Sequence, residues 1–225
     1  MKVSIWNLLL VLFFLSSCSE NEEPQGVEET FWVYSYPVQC DHPSNIPSPC
    51  LGISYAEEFD FNWPALERIP FEIEGFTFKP TFIQKILVRK IENTTTGEIK
   101  RKFIRVLAEE MDFYHLIEGS WKVQKYMGKD LPNENFPKGQ SVSILLGIRM
   151  AVSTDGCNQL ILEIRKVGPN KILSFGSLTS TAKGCINELH YPPFPGIGAI
   201  FKREGNVLTF YSDTKEEIAV WEKLK

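Results

Sequence analysis

Five cysteines, three histidines and a few neighbouring carboxylates stand out among the side chains of this 225-residue chain suited to covalent or acid–base chemistry. Such catalysis needs a nucleophile, a base and an orienting group drawn together. His42 lies among prolines, His115 stands near the middle of the chain, and His190 sits beside Tyr191 and Pro192; none belongs to a nucleophile motif. Glu57 with Glu58 and Glu72 with Glu74 have the residue type for glycoside hydrolysis, which needs two carboxyls about 5 to 10 Å apart. Neighbours along one chain set no such separation, and solvated strand or loop carboxylates are the commoner use. Gly196-Ile197-Gly198 lacks the Lys-Ser/Thr of a phosphate loop and reads as a turn. With no CxxC and scattered histidines, no metal or other cofactor is expected. No catalytic residue is assigned, and the chain is read as a non-enzyme.

The cysteines carry more information. Lys2, the apolar run Ile5 to Leu15 and the small residues Ser16 and Ser17 have the layout of a secretory signal spanning residues 1–17. These eleven residues fall short of the roughly 20 that span a bilayer as a helix. Leu15-Ser16-Ser17-Cys18 resembles the bacterial lipobox, and that resemblance implies a diacylglycerol thioether on Cys18. Several acyl chains, at about 0.8 kcal/mol per buried methylene, hold far more firmly than one myristoyl group. Residues 18–29 open with Glu20, Glu22 and Glu23 and read as a solvated acidic tether, similar to the export signal of surface lipoproteins in the Bacteroidetes. The expected location is the bacterial outer membrane, on its periplasmic or cell-surface face.

Cys40, Cys50, Cys157 and Cys185 remain, an even number in an exported chain, and two disulfides with three possible connectivities are expected. Proximity and the domain division favour Cys40–Cys50 and Cys157–Cys185, each worth about 2.5 to 4 kcal/mol on a chain-entropy account. Without residues 1–17 the balance is 23 basic to 28 acidic side chains. Glu92, Glu98, Glu109 and Glu110 break up or follow the basic residues of 79–105, so nucleic-acid binding is not expected.

The elements that must position these residues are strands. Residues 30–112 read as one β-rich domain. Thr30 to Cys40 is a strand, the prolines of 41–49 a loop, and Cys50 to Tyr55 the return strand. Phe61 to Arg68 is a short helix with Asn62 as N-cap. Phe71 to Phe78 alternates as a strand with a bend at Gly75. Phe82 to Ile91 and Ile99 to Ala108 form a hairpin about 93–97. Cys40, Cys50-Leu51, Trp63 and Ile73-Glu74-Gly75-Phe76 resemble a small lipoprotein domain of unknown function that often precedes a META domain. The pattern departs after Pro80, where that family tends to have glycine and this chain has Thr81.

Residues 116–225 form the second domain, joined near Asp112 to Leu116 by a junction expected to be cut by proteases. Some seven strands with short polar connections imply a closed barrel or sandwich. Gly119-Ser120-Trp121, Asp155-Gly156-Cys157-Asn158 and Thr179 to Cys185 resemble the META family, which includes a heat-shock lipoprotein. The family motif thus comprises Gly119, Trp121, Gly156, Cys157, Asn158, Thr181 and Cys185. The resemblance implies a lipocalin-like β-barrel and a role in stress tolerance. Trp121 is read as a plug at one barrel end, and Asn158 as a turn residue. Where the family has a helix after the second cysteine, residues 186–199 contain three prolines and two glycines, so either a trimmed loop or a different edge of the barrel is expected. Tyr191 and Phe194 in that loop are the candidate binding anchors. The expected function is a membrane-anchored, non-catalytic module for an envelope protein or a small apolar ligand. A structural component of a surface complex and a hydrolase are the alternatives.

Overall fold

The structure, a computed structural model, describes residues 26–40, 49–134, 139–155, 157–182, 194–196 and 198–224. The chain is mainly β, in two antiparallel sheets. The first contains β1 (Val27–Val33), β2 (Val38–Gln39), β3 (Pro49–Ser54), β4 (Glu67–Pro70), β5 (Phe82–Glu92) and β6 (Ile99–Met111). Its order is β2-β3-β1-β5-β6, with β4 on β3. Alternation in Phe31 and Val33 places these side chains on one face with Leu51, Ile53, Ile86 and Val88, where they form a small core of their own.

Several sequence expectations need correction here. Val27 to Glu29, assigned to the tether, already belong to β1 and pair with Lys90 to Val88 of β5. The expected helix at 61–68 is one 3-10 turn, Trp63–Ala65, because Arg68 and Ile69 join β4 and pair with Gly52 and Leu51. Phe71 to Phe78 forms no strand. Its alternation lets Ile73 enter the small core and Phe71, Phe76 and Phe78 pack on it, while only Glu74 bridges to Lys102.

The second sheet comprises β7 (Gly119–Tyr126), β8 (Lys129–Asp130), β9 (Gln140–Leu145), β10 (Met150–Thr154), β11 (Gln159–Val167), β12 (Ile172–Ser180), β13 (Ile200–Glu204), β14 (Val207–Tyr211) and β15 (Glu217–Lys223). Their order, β12-β11-β10-β9-β7-β15-β14-β13, makes a meander that curls back on itself. Its two ends meet where Lys171 bridges Ile200 and Phe201 N–H donates to Asn170 O at 2.7 Å. The sheet is therefore barrel-like, with eight main strands and the short β8 attached to β7. The apolar run 142–152 is split into the hairpin β9–β10.

Trp121, Trp221, Phe210, Leu208, Val123, Val142 and Ala151 are at most 1% exposed and fill the barrel. Their cluster continues without a break into Val38 and Cys50 of the first sheet and into Tyr34, Tyr36 and Leu66, which flank its strands. The junction lies inside this shared core. Asp112, Tyr114 and Ile117 are 1%, 0% and 0% exposed, so the expected protease-sensitive linker is a 3-10 turn, Phe113–Leu116, pinned into the core by these three side chains.

Candidate functional site

Two arrangements concentrate polar side chains. The first joins Asp155, Asn158 and Thr181 at one end of the barrel, where β10 hands over to β11. Asp155, 8% exposed, accepts hydrogen bonds from the backbone N–H of Cys157 and Asn158 at 2.8 and 2.6 Å, closing the turn. Thr181 Oγ1 lies 3.3 Å from Asn158 Oδ1 and accepts from Gln159 N–H at 3.0 Å, while Thr181 N–H donates to Gln159 O at 3.1 Å. Asn158 and Thr181, 23 residues apart, thus tie β11 to the end of β12. Each group is spent on a turn or a strand end. Cys157 is disulfide-bonded. Gly156 and Cys185 lie outside the described residues, as do Cys18 and Tyr191.

At Gly119 and Trp121 the barrel is sealed by packing. Trp121 is fully buried, its Nε1 donating to Ile117 O at 2.9 Å, with Arg203 and Lys223 over its ring at 5.5 and 5.7 Å. Arg203 also donates to Leu116 O at 2.9 Å, fastening the junction to the barrel. Gly119 has φ +122°, and a Cβ there would meet Lys223 Cε at 2.7 Å, so the lysine can lie across this strand only because the residue is glycine.

The second arrangement sits between the sheets, and sequence reasoning missed it. Arg149, at the end of the β9–β10 turn with φ +53°, is fully buried. Its Nη1 and Nη2 reach Asp112 Oδ2 and Oδ1 at 2.6 and 3.3 Å, and its Nε donates to Ile164 O at 3.2 Å. The guanidinium lies 4.5 Å from the Tyr114 ring, 4.7 Å from Phe61 and 5.8 Å from Tyr34. Ser35 Oγ donates to Asp112 Oδ2, and Asp112 Oδ1 accepts the backbone N–H of Tyr114 at 3.1 Å. An aromatic box from the first sheet, the junction and the loop at Phe61 thus encloses a cation from the barrel. Burial pushes Tyr34 up to about 12, with Asp112 adding to the rise and Arg149 opposing it. Tyr36 and Tyr114 are raised for the same first cause, desolvation. The enclosure gives this ion pair no access to a substrate; its geometry suits holding two sheets together.

Elsewhere the candidate groups stay apart. Cys40 and Cys50 form a disulfide, so every cysteine among the described residues is bonded. His115 Nδ1 lies 3.0 Å from Asp112 O. Glu74 pairs with Lys102 at 3.7 Å, and Glu57 offers its carbonyl to Trp32 Nε1 and Lys85 Nζ. Glu72 and Glu74 border a cleft of about 740 Å³ whose walls are Phe71, Phe76, Phe78 and Arg101. Arg101 is already engaged there with Glu29 at 2.6 Å. Phe194, one of the two proposed anchors, is half-buried against the barrel core. Much of its ring is thereby committed to packing. Among the described residues no group of three His, Cys, Asp or Glu is placed to hold a metal. Compared with known proteins, the chain matches no family model, no curated protein and no solved structure.

Proposed function

We propose that this chain is a lipid-anchored envelope lipoprotein of the bacterial outer membrane. Its two β domains act there as one rigid, non-catalytic module that binds a protein on its outer surface. The observation that carries the reading is the filled barrel: Trp121, Trp221 and Phe210 occupy the space where a lipocalin-like barrel would hold an apolar ligand. A partner is then left with the exterior. The fused core fits the same role, since rigid scaffolds with exposed loops commonly carry recognition. The three motifs of residues 119–185 support a META-like assignment, and with it a part in stress tolerance. The lipobox-like Leu15 to Cys18 supports the anchor.

Labelled palmitate fed to cells tests the anchor. The wild type is expected to take up label and to fractionate with membranes, and Cys18→Ala to do neither. Equal labelling of both proteins would remove the anchor. For the binding role, surface cross-linking in intact cells is expected to yield a defined partner adduct. That adduct should persist in Cys18→Ala variants retained in the envelope. Loss of every adduct in cells that still contain folded protein would overturn it.

A further inference from the structure

The segment that follows β4 is tied to β6 at one turn. Gly75 there has φ +77°, Glu74 N–H donates to Arg101 O at 3.0 Å, and Glu74 O accepts Phe103 N–H at 2.8 Å. These bonds hold Phe71, Phe76 and Phe78 half-buried against the small core, with the rings of Phe71 and Phe78 5.3 Å apart and tilted by 59°. The cleft of about 740 Å³ is lined by these three rings, by the buried Ile69 and Ile73, and by Ile99, which is 42% exposed. Its volume lies in the range that holds a small organic molecule, and its walls are already in place.

The polar side chains of the cleft are all charged. Glu72, Glu74 and Glu98 supply acceptors and Lys100 and Arg101 supply donors, while no hydroxyl, amide, indole or imidazole lines it. Both cations are engaged, Arg101 with Glu29 at 2.6 Å and Lys100 with Glu98 at 3.7 Å. Glu74 meets Lys102 at 3.7 Å in an exposed pair of the weak kind. Glu72 is exposed and has no ion-pair partner among the described residues. Carboxylates and phenyl faces both attract positive charge, and the rings offer contact to an apolar body. An anion would meet Glu72 with no uncommitted side-chain donor to answer it. A sugar would find no neutral side chain to share its hydroxyls.

We propose that this cleft binds a small organic cation, an ammonium or guanidinium on an apolar body, with the charge at Glu72 and the body against Phe71 and Phe78. Amide NMR of the mature chain with Cys18→Ser, titrated with 4-phenylbutylammonium, tests it. Saturable binding at about 0.1 to 1 mM is expected, with shifts confined to residues 69–78 and 98–101. The anion 4-phenylbutyrate has the same body, and methylammonium has the charge without the body; each should bind at least about tenfold more weakly. Glu72→Gln should weaken the first probe by about threefold to tenfold, and added salt should weaken it further in the wild type. Phe71→Leu keeps the apolar contact but removes a ring face, and a loss of about threefold is expected. Melting curves confirm that each variant folds. Absence of saturable shifts up to about 10 mM, shifts centred elsewhere, equal binding of 4-phenylbutyrate, or indifference to Glu72→Gln would each overturn the proposal. So would binding of acetyl-Leu-Lys-Leu-amide about tenfold tighter than the first probe, which would make the cleft a peptide site.

Discussion

Arg149 of the barrel and Asp112 of the junction form a bidentate ion pair with no exposure to solvent, inside an aromatic box of Tyr114 from the junction, Phe61 from a loop and Tyr34 from just past the end of β1. Two desolvated charges add little net stability compared with an apolar pair of the same shape. What they supply here is position. The guanidinium has one place where its donors are satisfied, and that place fixes how the β9–β10 turn meets the first sheet.

Removing one partner leaves the other charge buried alone. Arg149→Met is therefore expected to lower unfolding free energy by about 3 to 5 kcal/mol. Arg149→Met with Asp112→Asn should recover part of the loss. Urea denaturation followed by far-ultraviolet circular dichroism measures both. A loss for the single variant below about 1 kcal/mol would mean that the pair is hydrated in solution.

The junction should resist proteases because Asp112, Tyr114 and Ile117 anchor it in the shared core. Limited proteolysis with mass mapping is expected to leave 112–118 intact while the two sheets remain folded. Early fragments beginning at His115 or Leu116 would show the sheets separating as independent domains.

Thr81 has φ +66°, a left-handed conformation that costs a β-branched residue about 1 to 2 kcal/mol. The bend is kept because Thr81 N–H donates to Ser35 O at 3.2 Å and Thr81 O accepts Asp112 N–H at 2.8 Å. Thr81→Gly removes the strain and adds back some chain entropy in the unfolded state, so a net gain of about 0.5 to 1 kcal/mol is expected. Thermal melting reads this as a rise in Tm, and a fall would mean the threonine side chain has a packing role.

High pH should unfold the protein through its buried tyrosines. Burial raises Tyr34 to about 12, and it raises Tyr36 and Tyr114 as well, so between pH 10 and 12 the folded chain holds protons that the unfolded chain releases. Stability is thus whole below pH 10 and falls as pH rises through the folded values. Absorbance of phenolate is expected to show these rings ionising together with the loss of structure. Independent ionisation near pH 10 in a folded protein would contradict the burial.

Much of the strand set was legible, because Phe82 to Ile91, Ile99 to Ala108 and Gln159 to Val167 have strand-forming residues bounded by turn-formers. The hairpin at 146–149 was hidden: Leu146, Gly147 and Ile148 look like more strand, and only Gly147 hints at a turn. Arg149 in the midst of that apolar run was the available signal for a buried ion pair, yet its partner 37 residues earlier depends on tertiary packing. Phe71 to Phe78 misled in the opposite direction, since its period of two serves packing on a sheet it never joins. The disulfide Cys40–Cys50 followed from proximity. The interlock of Asn158 with Thr181 needed the register of β11 and β12.

The central claim is that the barrel is closed to ligands by its own side chains, leaving recognition to the outer surface. It is tested most directly by titrating the mature chain, with Cys18→Ser, with a long-chain fatty acid while following tryptophan emission, since Trp121 and Trp221 line the interior. The account predicts no saturable change in emission. Saturable one-to-one binding that alters the emission of these two residues, and is lost when Trp221 is replaced by phenylalanine, would contradict it.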